Sequence, residues 1–172
     1  ISGSCLAFDG KSGYVGIPYK SDLDFKGASS LTLAAWINLK SLSLDGGIIG
    51  RWYTGGHQQY VLKFESEDKS IKFSVYSDGF KIAKSSANLI TGDKWHYVVG
   101  VADSGTLKVY VDGVLSGTTA SYGAIKDVGT TEGIKIGVDN AGTANPEWFN
   151  GLIDEVKVYG KALTAEEIKK HY

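Results

Sequence analysis

The feature that most constrains this chain is an alternation of apolar and polar residues at a period of two. In Leu31-Thr-Leu-Ala-Ala-Trp-Ile-Asn-Leu39, the residues Leu31, Leu33, Ala35, Ile37 and Leu39 share one face of an extended strand, while Trp36 takes the other. A helix cannot sustain that pattern, because its faces return about every 3.6 residues. Further β-like runs cover residues 5–8, 13–17, 47–52, 59–64, 70–76, 95–102, 107–111, 114–118, 133–138 and 152–159. Turn chemistry separates them. Asp112-Gly113 between Val111 and Val114 is the strongest short-range hairpin signal, and Glu67-Asp68-Lys69-Ser70, Ser77-Asp78-Gly79 and Asp103-Ser104-Gly105 read as further turns. Short strands with turns at roughly 8–12-residue spacing describe an all-β fold, a two-sheet antiparallel β-sandwich, rather than alternating β and α units.

One short C-terminal helix is expected. Thr164-Ala165-Glu166-Glu167 has the form of a capping box, and Leu163 with Ile168 occupies the positions of a hydrophobic staple. The helix should span Ala165–His171 and pack over an edge of the sandwich. The 172 residues suit one domain, 1–172, able to form a core without staples. A formal net charge of -1 argues against a nucleic-acid partner, which would need a basic face. No apolar run is long enough to cross a bilayer, so no membrane insertion is expected. One cysteine excludes an internal disulfide framework; Cys5, in an apolar opening run, is expected to be a buried, inert thiol. The opening Ile1-Ser-Gly-Ser carries neither a basic leader nor an initiator Met, as expected of a monomeric module cut from a longer chain. The 23 glycines fall largely in turns and in three Gly/Ser-rich stretches, 45–56, 116–133 and 139–148, read as long loops.

Four segments in order resemble laminin-G-like jelly rolls of the concanavalin A-like lectin/glucanase superfamily. They are Leu6-Ala-Phe-Asp-Gly-Lys-Ser-Gly-Tyr-Val-Gly-Ile-Pro18 with Leu31-Thr-Leu-Ala-Ala-Trp-Ile37, then Trp95-His-Tyr-Val-Val-Gly-Val-Ala102, Leu107-Lys-Val-Tyr-Val-Asp-Gly113, and Phe149-Asn-Gly-Leu-Ile-Asp-Glu-Val-Lys-Val-Tyr159 running on to Ile168. The resemblance implies two stacked antiparallel sheets with a concave front and a convex back. It also implies a ligand-binding or adhesion module of a secreted or cell-surface multi-domain protein, covalently joined to catalytic or surface-protein domains. A minority of that superfamily are glucanases, so fold alone does not choose.

The residues argue against catalysis. Glycoside hydrolysis needs two carboxylates roughly 5–10 Å apart, and the catalytic branch of the superfamily carries Glu-x-Asp-x-Glu. Glu65-Ser66-Glu67-Asp68 has a different pattern and reads as a solvated hairpin tip. No Ser-His-Asp signature is present, and three scattered histidines do not have metal-ligand spacing. A structural calcium is the more plausible staple. The resemblance implies Asp9, in the turn after the first strand, and Asp154, in the last strand, as its ligands. The plainer reading is that Asp9 caps a turn and Asp154 is the polar half of an alternation.

A sugar site needs rings to stack on apolar sugar faces and polar groups to meet hydroxyls. Three regions supply this mixture: Arg51, Trp52, Tyr53, His57 and Gln59 around a Gly-Gly pivot; Tyr76 at a strand end; and Asp139, Asn140 and Trp148 in the last long loop. Trp52 and Trp148 each also have a bland reading as a loop anchor. The leading expectation is a non-catalytic, calcium-stabilised, extracellular module binding a polysaccharide or glycan. The alternative is an adhesion or spacer module without a glycan ligand.

Overall fold

The alternating segments pair into two six-stranded antiparallel sheets stacked face to face, with a small third sheet at one side. The computed structural model describes residues 3–53, 58–120, 122–127, 129, 131–140 and 144–172, of Ala120 the backbone alone. In chain order the strands are β1 (Leu6–Asp9), β2 (Val15–Ile17), β3 (Ser30–Leu39), β4 (Gly46–Trp52), β5 (Gln58–Glu65), β6 (Ser70–Tyr76) and β7 (Phe80–Lys84). They continue with β8 (Trp95–Asp103), β9 (Thr106–Val111), β10 (Val114–Ala120), β11 (Ile134–Ile136), β12 (Val138–Asp139), β13 (Glu147–Trp148) and β14 (Asn150–Tyr159), followed by helix α1 (Ala165–His171). The first sheet runs β1-β14-β3-β8-β9-β10, the second β2-β11-β4-β5-β6-β7, and β12 pairs with β13.

The period-two pattern builds the core as expected. Leu31, Leu33, Ala35, Ile37 and Leu39 are buried against Ile49, Tyr60, Leu62, Phe64, Phe73 and Val75 of the second sheet. Each fully buried Leu or Ile contributes about 1.5–3 kcal/mol of transfer free energy. Two of the tight turns show why their residues were needed: Asp112 and Gly113 have φ of 51° and 76°, and Ser104 and Gly105 have 42° and 99°. Successive positive φ values twist a two-residue turn the same way as the strands it joins.

Four sequence expectations change. Strand β7 is absent from the list of runs because its pattern is inverted, with Phe80 and Ile82 exposed and Ala83 buried. The run 133–138 divides at Gly137, whose φ is 89° and where a Cβ would lie 2.2 Å from the Phe8 ring. Cys5 is exposed ahead of β1, an edge strand that buries little beyond part of Phe8. The helix covers the outer face of the first sheet rather than an edge: Leu163 and Ile168 join Ala34, Tyr97, Val99, Val101 and Tyr110 in a second apolar cluster. Its capping box forms as read, with Glu167 N donating to Thr164 Oγ1 at 3.2 Å and Thr164 N to Glu167 Oε2 at 2.8 Å.

The β9–β10 turn is clamped from below. Asp112 Oδ1 accepts from Tyr97 N, and its Oδ2 lies 2.9 Å from His96 Nδ1. Thr91 N donates to His96 Nε2, which assigns the imidazole proton to Nδ1. Asp112→Ala should lower unfolding stability by about 1–3 kcal/mol, and Asp112→Asn by less, because an amide keeps an acceptor and tolerates positive φ. Urea unfolding midpoints at unchanged m-value measure both.

Candidate functional site

The outer face of the second sheet carries the densest set of ligand-type side chains. Its register sets Gly16, Lys135, Gly50, Val61, Ser74 and Ile82 in one cross-strand row. On one side of that row Trp52, Tyr76 and Phe80 cluster, with Trp52–Phe80 centroids 5.4 Å apart and Tyr76–Phe80 centroids 5.1 Å apart. Phe80 is 56% exposed, and Trp52 and Tyr76 are half-buried. On the other side Gly47, Lys63, Lys72 and Lys84 line up strand by strand.

Arg51 and Gln59 do not reach this face. A bulge leaves Gln59 unpaired, since Arg51 opposes Tyr60 and Trp52 opposes Gln58. The extra residue turns the Gln59 amide toward Arg51. Arg51 Nη1 donates to Asp24 Oδ1 and Gln59 Oε1, both at 2.8 Å, and Nε donates to Glu132 O at 2.8 Å. Gln59 Nε2 donates to Asp24 Oδ1 and Lys126 O. Burial opposes the Asp24 carboxylate, yet the Gln59 hydrogen bond and the Arg51 charge outweigh it and hold its pKa below the usual range. Arg51 is 2% exposed and Gln59 0%, so the expectation that they meet a sugar is corrected: both close the end of the core. Tyr53 is largely buried as well, its hydroxyl donating to Gly133 O at 2.6 Å. His57 lies outside the described residues.

Asp139 has a similar fate, whereas Asn140 is half-buried. Strand β12 lies so close to β4 that a Cβ on Gly47 would stand 2.2 Å from Asp139 N. There the Lys63 ammonium is enclosed by Glu147, which it hydrogen-bonds, by Glu65 at 3.2 Å, Asp139 at 3.7 Å and Asp45 at 3.9 Å. Burial pushes the Asp139 pKa up to about 7 despite the pull of Lys63, and the adjoining Glu147 adds to the rise. Burial works against the Lys63 charge too, but Glu147, Asp139 and Glu65 prevail and raise its pKa. Asp139 is thus a buried prop for β12, and Asn140 N donates to its Oδ1 at 2.7 Å.

Two shallow hollows flank β12 and β13. One, of about 240 Å³, is lined by Tyr14, Gly16, Tyr53, Glu132, Gly133 and Lys135 among others. The second, of about 210 Å³, is lined by Gly10, Leu44, Asp45, Pro146, Glu147 and Trp148. Trp148 stacks on Tyr14 at 6.3 Å, and Lys135 Nζ sits 4.9 Å from the Tyr14 ring and 4.4 Å from the Tyr53 ring. The sequence-read rings therefore separate into Trp52 and Tyr76 beside Phe80, and Tyr53 and Trp148 beside Tyr14. Phe80, Tyr14 and Lys135 escaped the sequence reading. Tyr14 passed for an ordinary strand residue, and Phe80 lay in the inverted pattern of β7.

The residues implied for calcium do not fit one ion. Asp9 is paired with Asn150, four positions from Asp154 along β14, or about 13 Å at strand rise. Ca²⁺–oxygen distances of about 2.3–2.6 Å cannot span that separation. The Asp9 carboxylate instead accepts from Lys11 N and Ser12 N, both at 2.9 Å, and Asp154 Oδ1 accepts from Glu155 N. Among the described residues no group of three His, Cys, Asp or Glu side chains could hold a metal ion.

Two groupings have an outward likeness to catalytic machinery. Thr91 Oγ1, His96 and Asp112 stand in nucleophile–base–carboxylate order, with Thr91 Oγ1 3.0 Å from His96 Nε2. The Nε2 lone pair already accepts the Thr91 amide, and Asp112 also pins Tyr97 N, so the grouping works as a turn clamp. Glu65 and Asp68, at the β5–β6 turn, are spent on Lys63, Lys72 and Lys84.

Residues 9–169 match the family model described as the concanavalin A-like lectin/glucanases superfamily. The adhesion G-protein coupled receptor V1 of Danio rerio is 23% identical over 146 residues, 81% of this chain but 2% of the receptor, so the chain spans a small fraction of that relative. Among solved structures, the CBM40 of Ruminococcus gnavus IT-sialidase bound to alpha2,3 sialyllactose superposes with a TM-score of 0.73 at 15% identity, covering 98% of this chain and 96% of that one. A putative carbohydrate binding protein from Bacteroides ovatus has a TM-score of 0.73 at 20% identity, covering 95% and 46%.

Two measurements follow from the charged cluster and the aspartates. An Asp139 that keeps its proton to about pH 7 when folded, against an unfolded value of about 3.9, makes stability fall as pH rises across that window. Asp139→Asn should flatten that fall, as read from melting temperatures at pH 4, 5, 6 and 7. Chelator should leave the melting temperature unchanged, since only an ion bound to the folded state would raise it.

Proposed function

The chain belongs to the concanavalin A-like lectin/glucanase superfamily, and we propose that it is a non-catalytic carbohydrate-binding module whose ligand lies on the outer face of the second sheet. The observation that carries this reading is the Trp52–Phe80–Tyr76 cluster. Phe80 is more than half exposed on an edge strand, where it adds little to the core, yet it is held at stacking distance from two further rings. Rings fixed in this way suit the apolar face of a sugar. Solved structures of similar shape include the sialyllactose-bound module and the putative carbohydrate binding protein named above, which is consistent with this use of the fold.

The module would act in an extracellular or cell-surface protein, keeping a covalently linked domain close to a polysaccharide by raising its effective concentration. The likeness to an adhesion receptor favours a second reading, an adhesion or spacer module without a glycan ligand. Affinity electrophoresis against a polysaccharide panel separates the two. Wild type should be retarded by at least one glycan, and Trp52→Ala and Phe80→Ala should each abolish or sharply weaken retardation, with melting temperatures confirming that both fold. Phe80 is exposed, so Phe80→Ala should shift stability by about 0.5 kcal/mol or less. No retardation by any glycan favours the adhesion reading, and retardation that survives both substitutions removes the ring cluster as the site.

A further inference from the structure

Among the described residues, the buried and half-buried lysines find oxygen partners, with one exception. Lys63, Lys72, Lys81, Lys84, Lys108 and Lys157 each lie within 4.0 Å of a carboxylate oxygen, and Lys69 reaches Asn88 Oδ1. Lys135 is half-buried, and among the described residues its ammonium meets only the faces of Tyr14 and Tyr53. Burial lowers its pKa, while the charge of Glu132 opposes the fall. A cation seated between two rings and stripped of part of its water gains from the ring quadrupoles, but less than from an anion in hydrogen-bond contact.

Three placements suggest what would complete its environment. Lys135 lines the open hollow of about 240 Å³, smaller than the roughly 300–1,000 Å³ typical of drug-sized ligand sites, which suits one sugar unit. It shares its cross-strand row with Ser74, whose Oγ is buried and has no hydrogen-bond partner among the described residues. The Trp52–Tyr76–Phe80 rings border that same row, and Lys126, exposed, rests its ammonium 5.1 Å from the Tyr76 ring. Among the described residues, both cations that accompany the rings lack a carboxylate within 4.0 Å, whereas the lysine row at the far side of the face is met by Asp45, Glu65, Asp68, Asp139 and Glu147. Lys135 thus faces the hollow with its charge balanced only at a distance by Glu132 and with no anion in hydrogen-bond contact among the described residues.

We infer that the ligand of this face is an anionic saccharide, with the carboxylate or sulfate of one sugar unit held by Lys135 in the hollow between Tyr14 and Tyr53. The inference rests on the carbohydrate-binding reading and narrows its substrate class. Glu132, at the same hollow, opposes the fall that burial imposes on the Lys135 pKa.

The test uses paired glycans that differ in acidic groups: alpha2,3 sialyllactose with lactose, polygalacturonate with galactan, and dextran sulfate with dextran. Binding to wild type, Lys135→Gln and Lys135→Arg is measured by titration calorimetry or affinity gel. The expected result is that at least one acidic member binds roughly tenfold or more tightly than its neutral partner, and more weakly as salt rises. Lys135→Gln should lose that margin and Lys135→Arg should keep most of it, with melting temperatures confirming that both variants fold. The carboxylate and sulfate pairs identify which anion is taken. Equal affinity within every pair, or an acidic preference that survives Lys135→Gln, overturns the inference and leaves carbohydrate binding standing. No binding of any of the six glycans by folded wild type overturns both.

Discussion

The buried ion pair between Arg51 and Asp24 is the interaction on which the architecture around the candidate site depends. One guanidinium ties together β4, the Gln59 bulge of β5, the segment after β2 and the carbonyl of Glu132 that leads into β11. Tyr60, next to Gln59, donates to Leu23 O and fastens the same end from the core side. A charge so enclosed is tolerable only because its donors are met. Removing one partner of such a pair commonly costs about 3–5 kcal/mol, far more than the pair adds over an apolar replacement. The network therefore acts chiefly as a specification of geometry. It places Trp52 at the end of β4 and Tyr53 just beyond it, and with them the hollow that ends at Gly133.

The face itself owes its form to small residues and to charge compensation. Gly47 admits β12 against β4, and Gly50 leaves room for Val61. Bulkier residues at either position would press against backbone atoms, so the face has little relief around Gly47 and Gly50. Beyond that row, lysines that would repel one another across neighbouring strands are separated by interleaved carboxylates. A surface fixed in this way requires little ordering when a ligand arrives, which is the usual route to useful affinity from a shallow site.

Much of the fold was legible because the hydrophobic alternation is a direct image of burial. Leu31 to Leu39 face inward as their spacing requires, and the Thr164 capping box and the Asp112-Gly113 turn appear where local chemistry demands them. Strand β7 was illegible for the same reason: on an edge, large apolar residues can face outward, and the period then points the wrong way. The site was harder still. Arg51, Gln59 and Asp139 have the side-chain chemistry of sugar ligands, yet a bulge and a close strand crossing turned them into structural groups. Neither event has a local sequence signature. For Asp9 and Asp154, residue type was suggestive, but the β1–β14 register set the distance. Phe80 and Lys135 become conspicuous only when their neighbours are known.

The side of the sandwich where β7 meets β10 has a consequence for how such a surface can exist in solution. At Gly117 the β10 backbone approaches Lys84 so closely that a Cβ would stand 1.8 Å from its carbonyl oxygen, and Ser86 N donates to Ser116 Oγ. The outermost strands of the two sheets thus shelter each other along this seam. An unprotected edge bearing Phe80 and Ile82 would invite strand addition by another chain and growth into a fibre. The seam reduces that hazard, so the protein can keep a bare aromatic ring on its rim without recruiting neighbours through the backbone.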